Sequence, residues 1–176
     1  PVDPEVESAV RAAIEQLKSL GAVLVDVTVP MAEQIIPVEF GIMLPDASAY
    51  HRKMLRGNPD LYTPDVRMLL ELGELVTATD YLQAQRVRTL MQRAVAEMYQ
   101  KIDVMISPTL PIPAARSGEE VTTWPDGTVE ALVMAYTRFT SFANVTGLPT
   151  LNQPCGFTKA GLPIGMQTSG RPLEEK

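Results

Sequence analysis

Covalent or acid–base chemistry run by side chains alone needs a nucleophile within reach of a proton acceptor, or a pair of carboxylates in contrasting environments. The chain has one histidine, His51, and one cysteine, Cys155. His51 sits beside Arg52 and Lys53 in a helical pattern, a solvated context rather than that of a catalytic base. Cys155 lies in Pro154-Cys155-Gly156, a tight turn at a strand, where a small buried thiol is the expected role. Together, one His and one Cys cannot make an ordinary structural zinc site. The serines Ser8, Ser19, Ser48, Ser107, Ser117, Ser141 and Ser169 are isolated, and the glycines form no phosphate-cradling loop. No paired carboxylates stand out. What does invite chemistry is Phe142 to Gly156, FANVTGLPTLNQPCG, followed by LPIGMQTSG from Leu162 to Gly170. Asn144, Thr146, Asn152 and Gln153 interrupt apolar runs there, and an amide buried without partners is costly. They either line a pocket or tie down loops.

The elements that must position these residues follow from periodicity. Asp3-Pro4-Glu5 reads as N-cap, first helical residue and first-turn acid, and Val6, Val10, Ala13, Leu17 and Leu20 continue at helical spacing to Gly21. Ala22 to Val29, AVLVDVTV, alternates like a strand and ends at Pro30. Residues 31–58 are helical in pattern, interrupted at Pro37 and Pro45, with a turn at Gly57-Asn58-Pro59-Asp60. Pro64 to Leu75 is a helix capped by Thr63. A longer one runs from Thr79 or Asp80 to about Ile102, with an apolar stripe at Ala84, Val87, Met91, Ala94 and Met98. Val104 to Ser107 is a short buried strand leading into a proline-rich segment. Residues 115–128 form an exposed loop, Glu130 to Phe142 a poorly patterned helix. Thr150 to Phe157 and Pro163 to Ser169 form a hairpin. The fold class is α/β: a mixed β-sheet of few strands, about four, with flanking helices.

Composition excludes several functions. Net charge is −6 at neutral pH without a basic cluster, which speaks against nucleic acid and against an anionic membrane surface. No apolar run approaches the roughly 20 residues of a membrane span. A single cysteine excludes an internal disulfide and fits a reducing cytoplasm. The start, Pro1-Val2-Asp3-Pro4, lacks the features of a signal peptide. It also lacks Met, which fits either a trimmed chain or removal of Met before Pro.

Taken in order, KIDVMISPTLPIPA, TRFTSFANVTGLPTLNQPCG and LPIGMQTSGRP resemble the C-terminal part of the amidase signature family, as do the helix leading to GAVLVDVTVP and the segment QRVRTLMQRAVAEMYQKIDVMISPT. The resemblance covers essentially the whole chain. It implies that residues 1–176 are the C-terminal portion of an amidase-signature domain, truncated at both ends. It also implies hydrolysis of carboxamide C–N bonds by a serine nucleophile, a bridging serine in a cis peptide and a lysine, without metal or organic cofactor. This chain has no glycine/serine run of that kind, so the triad is expected N-terminal to Pro1. The segment alone is expected to be inactive, contributing sheet and pocket wall.

The partners implied are the N-terminal catalytic half of the same protein, a small amide, and a second copy through an exposed apolar edge. A non-catalytic binding or assembly module on the same fold region is the alternative of a different class. Substrate-binding candidates are Arg67 and Arg138, since a guanidinium grips a carboxylate or carbonyl in bidentate fashion; otherwise each is a surface arginine paired to an acid. Asn144 and Thr146 are expected to hold the turn before the strand, with Asn144 also a candidate contact. Amidotransferase A subunits usually carry an acidic residue seven positions before the equivalent of Asn144, gripping the amino group of glutamine. Thr137 stands there, which favours an amidase over a glutamine-using amidotransferase.

Overall fold

The structure is a computed structural model that describes residues 1–174. It divides into two units, residues 1–30 with 94–176 and residues 31–93, the division falling within one long helix.

In the first unit, helix α1 spans Pro4–Ser19. Asp3 caps it: its Oδ1 accepts from the Glu5 and Val6 amides at 2.8 and 3.4 Å. Gly21 closes it at φ +103°, a left-handed conformation a Cβ would oppose. Strand β1 (Met105–Pro108), β2 (Val121–Thr123), β3 (Val129–Ala131), helix α5 (Leu132–Thr146), β4 (Thr150–Phe157) and β5 (Pro163–Ser169) follow. β1, β5 and β4 form an antiparallel sheet in that order, with β5 at the centre. β5 is buried on both faces, Ile164 and Met166 on one and Gln167 and Ser169 on the other. Val6 and Val10 of α1 pack on Ile164 and Met166, with Ile106 and Cys155 at the margin. Burying side chains of this size stabilises by about 1.5–3 kcal/mol each. A second cluster joins Ile112, Trp124, Leu132 and Ala135.

The α/β class, the β1 strand and the β4–β5 hairpin appear as expected, and all the strands pair antiparallel. Between Pro154 and Gly156 the register shifts, so Cys155 is an extra residue in the outer strand. A bulge suits Pro154, which has no N–H for a ladder. Three expectations change. Residues 22–29 form no strand: the alternation is there, but no neighbour among the described residues supplies the hydrogen bonds, and Val23 is 87% exposed. Residues 115–128 are not simply loop. They build β2 and the approach to β3, because Trp124 is buried against Ile112 and Leu132 and pulls the segment down. Helix α5 runs on to Thr146, where Gly147 at φ +78° ends it, so Asn144 and Thr146 lie in its last turn and not in a loop.

In the second unit, α2 spans Ile35–Gly57, α3 Pro64–Gly73 and α4 Ala78–Met98, the last crossing into the first unit. α2 is continuous through both prolines. Pro37 falls in the first turn, where the amide has no intrahelical acceptor, and Pro45 is carried inside by packing against α3. That packing is close. A Cβ on Gly73 would lie 2.2 Å from the Leu44 carbonyl oxygen. The Ser48 hydroxyl, buried at the crossing, donates to the Leu70 carbonyl at 2.8 Å. The α4 stripe is buried at Ala84, Met91 and Met98.

Candidate functional site

β1 ends at Pro108 and hands the chain to the proline-rich segment that the sequence places after it. Thr109 is pinned at once: its amide donates to the Gly165 carbonyl at 3.0 Å, and its hydroxyl donates to Asn152 Oδ1 at 2.5 Å. At the far end of the segment the Ala115 amide donates to the Tyr136 hydroxyl at 2.9 Å. Ile112 anchors the middle in the second apolar cluster. A segment held at both ends and in the middle leaves a concave space against α5, the β4–β5 hairpin and Val6 of α1. This cavity has a volume of about 410 Å³.

Its walls are mainly apolar, including Val6, Ile112, Pro113 and Ile164, and among the described residues no Asp, Glu, Lys, Arg or His lines it. Three polar side chains converge there: Thr109, Asn152 and Tyr136. Thr109 occupies Asn152 Oδ1, which leaves the Nδ2 as the donor end of that amide; the Tyr136 oxygen accepts from Ala115 and keeps its own proton to donate. Gly165 makes room for the Thr109–Asn152 pair, since a Cβ there would stand 2.6 Å from Asn152 Oδ1. A neutral acceptor group on an apolar body suits such a space, whereas a buried unpaired charge would not.

The helix beside the cavity carries three of the four residues named from the sequence. Thr137 and Asn144 are two turns apart on one stripe of α5, with Val133 and Thr140, and Asn144 is exposed. The Thr137 hydroxyl donates to the Val133 carbonyl at 2.8 Å. Arg138 turns under the β2–β3 hairpin. Its Nη2 lies 3.4 Å from Glu130 Oε2 and donates to the Pro1 carbonyl at 3.0 Å, while its guanidinium carbon is 5.3 Å from the centre of the Trp124 ring. The indole N–H of Trp124 donates to the same Glu130 oxygen at 2.8 Å. The Arg138 Nε is buried without a hydrogen-bond partner. Arg67 belongs to the other unit. Its Nε donates to Glu71 Oε1 at 2.7 Å, and that bond, with the Glu71 charge, holds the guanidinium pKa above its ordinary value.

Chemistry of bond cleavage is not assembled by these groups. Among the described residues, Ser48, Ser141 and Ser169 bond to Leu70, Thr137 and Thr150, and the Ser107 hydroxyl accepts from Gln167. Burial raises the Cys155 thiol pKa, the opposite of an activated nucleophile. The His51 Nδ1 lies 3.0 Å from the Tyr62 hydroxyl. No cluster of three or more metal-ligating side chains occurs among the described residues.

Sequence reasoning singled out Asn152 but missed Thr109, Tyr136 and Gly165. The Thr109–Asn152 bond joins residues 43 apart and the Ala115–Tyr136 bond residues 21 apart, so spacing gives no sign of either. The available signal was LPIG, a glycine inside a strand, which marks a close approach of another group.

The Amidase family profile matches residues 1–176. An Amidase of Pseudomonas putida is 83% identical over 175 residues, covering 99% of this chain and 37% of that protein. The Glutamyl-tRNA(Gln) amidotransferase A subunit of Myxococcus xanthus is 36% identical over 198 residues, covering 99% of this chain and 40% of that protein. A crystal structure of an amidase superposes with a TM-score of 0.90 at 27% identity, covering 98% of this chain and 39% of the other. The chain thus spans roughly two fifths of the length of these relatives.

Proposed function

The chain belongs to the Amidase family, and from that premise we propose that it is the pocket-wall segment of a hydrolase that cleaves carboxamide C–N bonds. The observation that carries this reading is the 83% identity, over 99% of the chain, to a protein named Amidase. In this reading the nucleophilic serine, the bridging serine of a cis peptide and the lysine base belong to the part of the protein that precedes these residues. The segment then supplies the β1–β5–β4 sheet, the cavity and the open stripe of α5, and does not break the bond by itself.

Thr137, Asn144, Arg138 and Arg67 are the proposed substrate-side contacts; each arginine would have to share its guanidinium with the acid that already engages it, Glu130 for Arg138 and Glu71 for Arg67. Thr137 also supports an amidase over a glutamine-using amidotransferase, since a hydroxyl bonded to the Val133 carbonyl offers no charge to an ammonium group. The remainder of the protein is the proposed cover for β4, an outer strand whose Leu151 is 61% exposed; a second copy is the alternative occupant.

The test is ammonia release from a panel of carboxamides by the complete protein and by residues 1–176 alone. The proposal expects turnover by the first and none above a heat-killed control by the second. Turnover by the short chain, or inertness of the complete protein toward the whole panel, overturns it.

A further inference from the structure

The cavity bounded by Thr109, Asn152 and Tyr136 has a composition that narrows what can enter it. Eight of its lining residues are Val, Leu, Ile, Pro or Ala, and none bears a charge. A volume of about 410 Å³ is at the small end of the range for small-molecule sites. Two donors remain unspent at its polar side, the Asn152 Nδ2 and the Tyr136 hydroxyl proton. Both groups are held by partners within the wall. Thr109 fixes the Asn152 amide by occupying its oxygen, and Thr109 is itself fixed by the Gly165 carbonyl. The Ala115 amide fixes the Tyr136 oxygen.

We propose that this cavity binds the uncharged, apolar portion of a small carbonyl compound, an aryl or branched-alkyl body whose carbonyl oxygen accepts from Asn152 and Tyr136. The inference rests on the amidase reading only for the identity of the natural ligand, a neutral aryl or alkyl carboxamide; the binding itself does not require catalysis. A charged ligand is rejected because no lining group compensates a carboxylate or ammonium taken from water, a cost no apolar contact offsets. Discrimination between neutral and charged bodies of equal shape therefore resides in this wall.

Acetophenone is the probe: an aromatic ring, a carbonyl acceptor and no C–N bond to cleave. Benzoate is its charged counterpart and acetone its truncated one. Titration calorimetry on the complete protein is expected to show one saturable acetophenone site, with benzoate and acetone each at least tenfold weaker. Ala114→Trp, at a lining position, is expected to abolish binding by filling the cavity. Asn152→Ala is expected to weaken it about five- to tenfold, the effect of one lost hydrogen bond. Tyr136→Phe is expected to weaken it similarly, and the two substitutions to act together. Thermal melts establish that each variant is folded. No saturable binding, equal affinity for benzoate, or indifference to both Ala114→Trp and Asn152→Ala overturns the proposal. Acetophenone binding in a protein that hydrolyses no amide retains the cavity and removes the amidase reading; amide turnover without acetophenone binding does the reverse.

Discussion

Replacing Gly165 by alanine separates the shape of the cavity from the stability of the sheet that carries it. The added Cβ would stand 2.6 Å from Asn152 Oδ1 and 3.0 Å from Thr109 Oγ1, where ordinary contact begins at 3.4 Å. The shortfall of about 0.8 Å falls on the tips of side chains and not on backbone. Asn152 is exposed and can rotate outward, which breaks its bond with Thr109 but leaves the Thr109 amide on the Gly165 carbonyl. Losing that side-chain bond costs about 0.5–1.5 kcal/mol. Gly165 is not in the left-handed region, so alanine restricts the unfolded chain and returns about 0.4–1 kcal/mol. The two nearly cancel, and the melting temperature is expected to stay within about 3 °C of the parent. Acetophenone affinity, by contrast, is expected to fall about tenfold, because the Asn152 Nδ2 donor leaves its place. Differential scanning calorimetry with titration calorimetry on the same sample reads both. A fall of about 10 °C or more would refute the side-chain origin of the clash; unchanged affinity would refute the role of the Thr109–Asn152 pair in shaping the cavity.

Gly73→Ala is the opposite case, since its Cβ meets the Leu44 carbonyl at 2.2 Å and Ser48 Cβ at 2.8 Å. Separating α2 from α3 also breaks the Ser48–Leu70 bond, so urea unfolding is expected to show a loss of at least about 3 kcal/mol; a loss under about 1 kcal/mol would contradict the close crossing. Tyr99, 3% exposed and donating to the Ser169 carbonyl, has its pKa pushed up to about 12 by burial, partly countered by Arg171. The folded state thus holds the proton more tightly than the unfolded one: its contribution is complete below about pH 10 and lost as pH rises toward 12. Tyrosinate absorbance is expected to show a step near pH 12 while the chain remains folded, and Tyr99→Phe to remove that step. Cys155, its pKa raised by burial, is expected to label with a disulfide reagent at pH 8 more slowly than in urea; equal rates would show an open thiol.

How much of this could be read from the residues varies with how local the cause is. The cap at Asp3, the glycine at 21 and the hairpin from Thr150 to Ser169 were legible because each is set by neighbours in sequence. Residues 22–29 alternate as a strand should, but pairing depends on a neighbour, and sequence pattern cannot supply one. The prolines at 37 and 45 looked like breaks; a first-turn position and packing against α3 absorb them. Trp124 shaped a hairpin within what looked like loop, through contacts with Ile112 and Leu132. At the site, Asn152 was visible as an amide out of place among apolar residues. Its partner Thr109 and the Tyr136 hydroxyl were not, because long-range hydrogen bonds bring them in. Thr137 and Asn144 share a face of α5 for a reason the spacing of seven already contained, once the helix is known to reach Thr146.

The most direct test of the account is ammonia release from benzamide and isobutyramide by the complete protein, beside residues 1–176 purified alone. The account predicts steady turnover by the complete protein and none by the short chain. Turnover by residues 1–176, or none by the complete protein toward these or any neutral carboxamide, would contradict it.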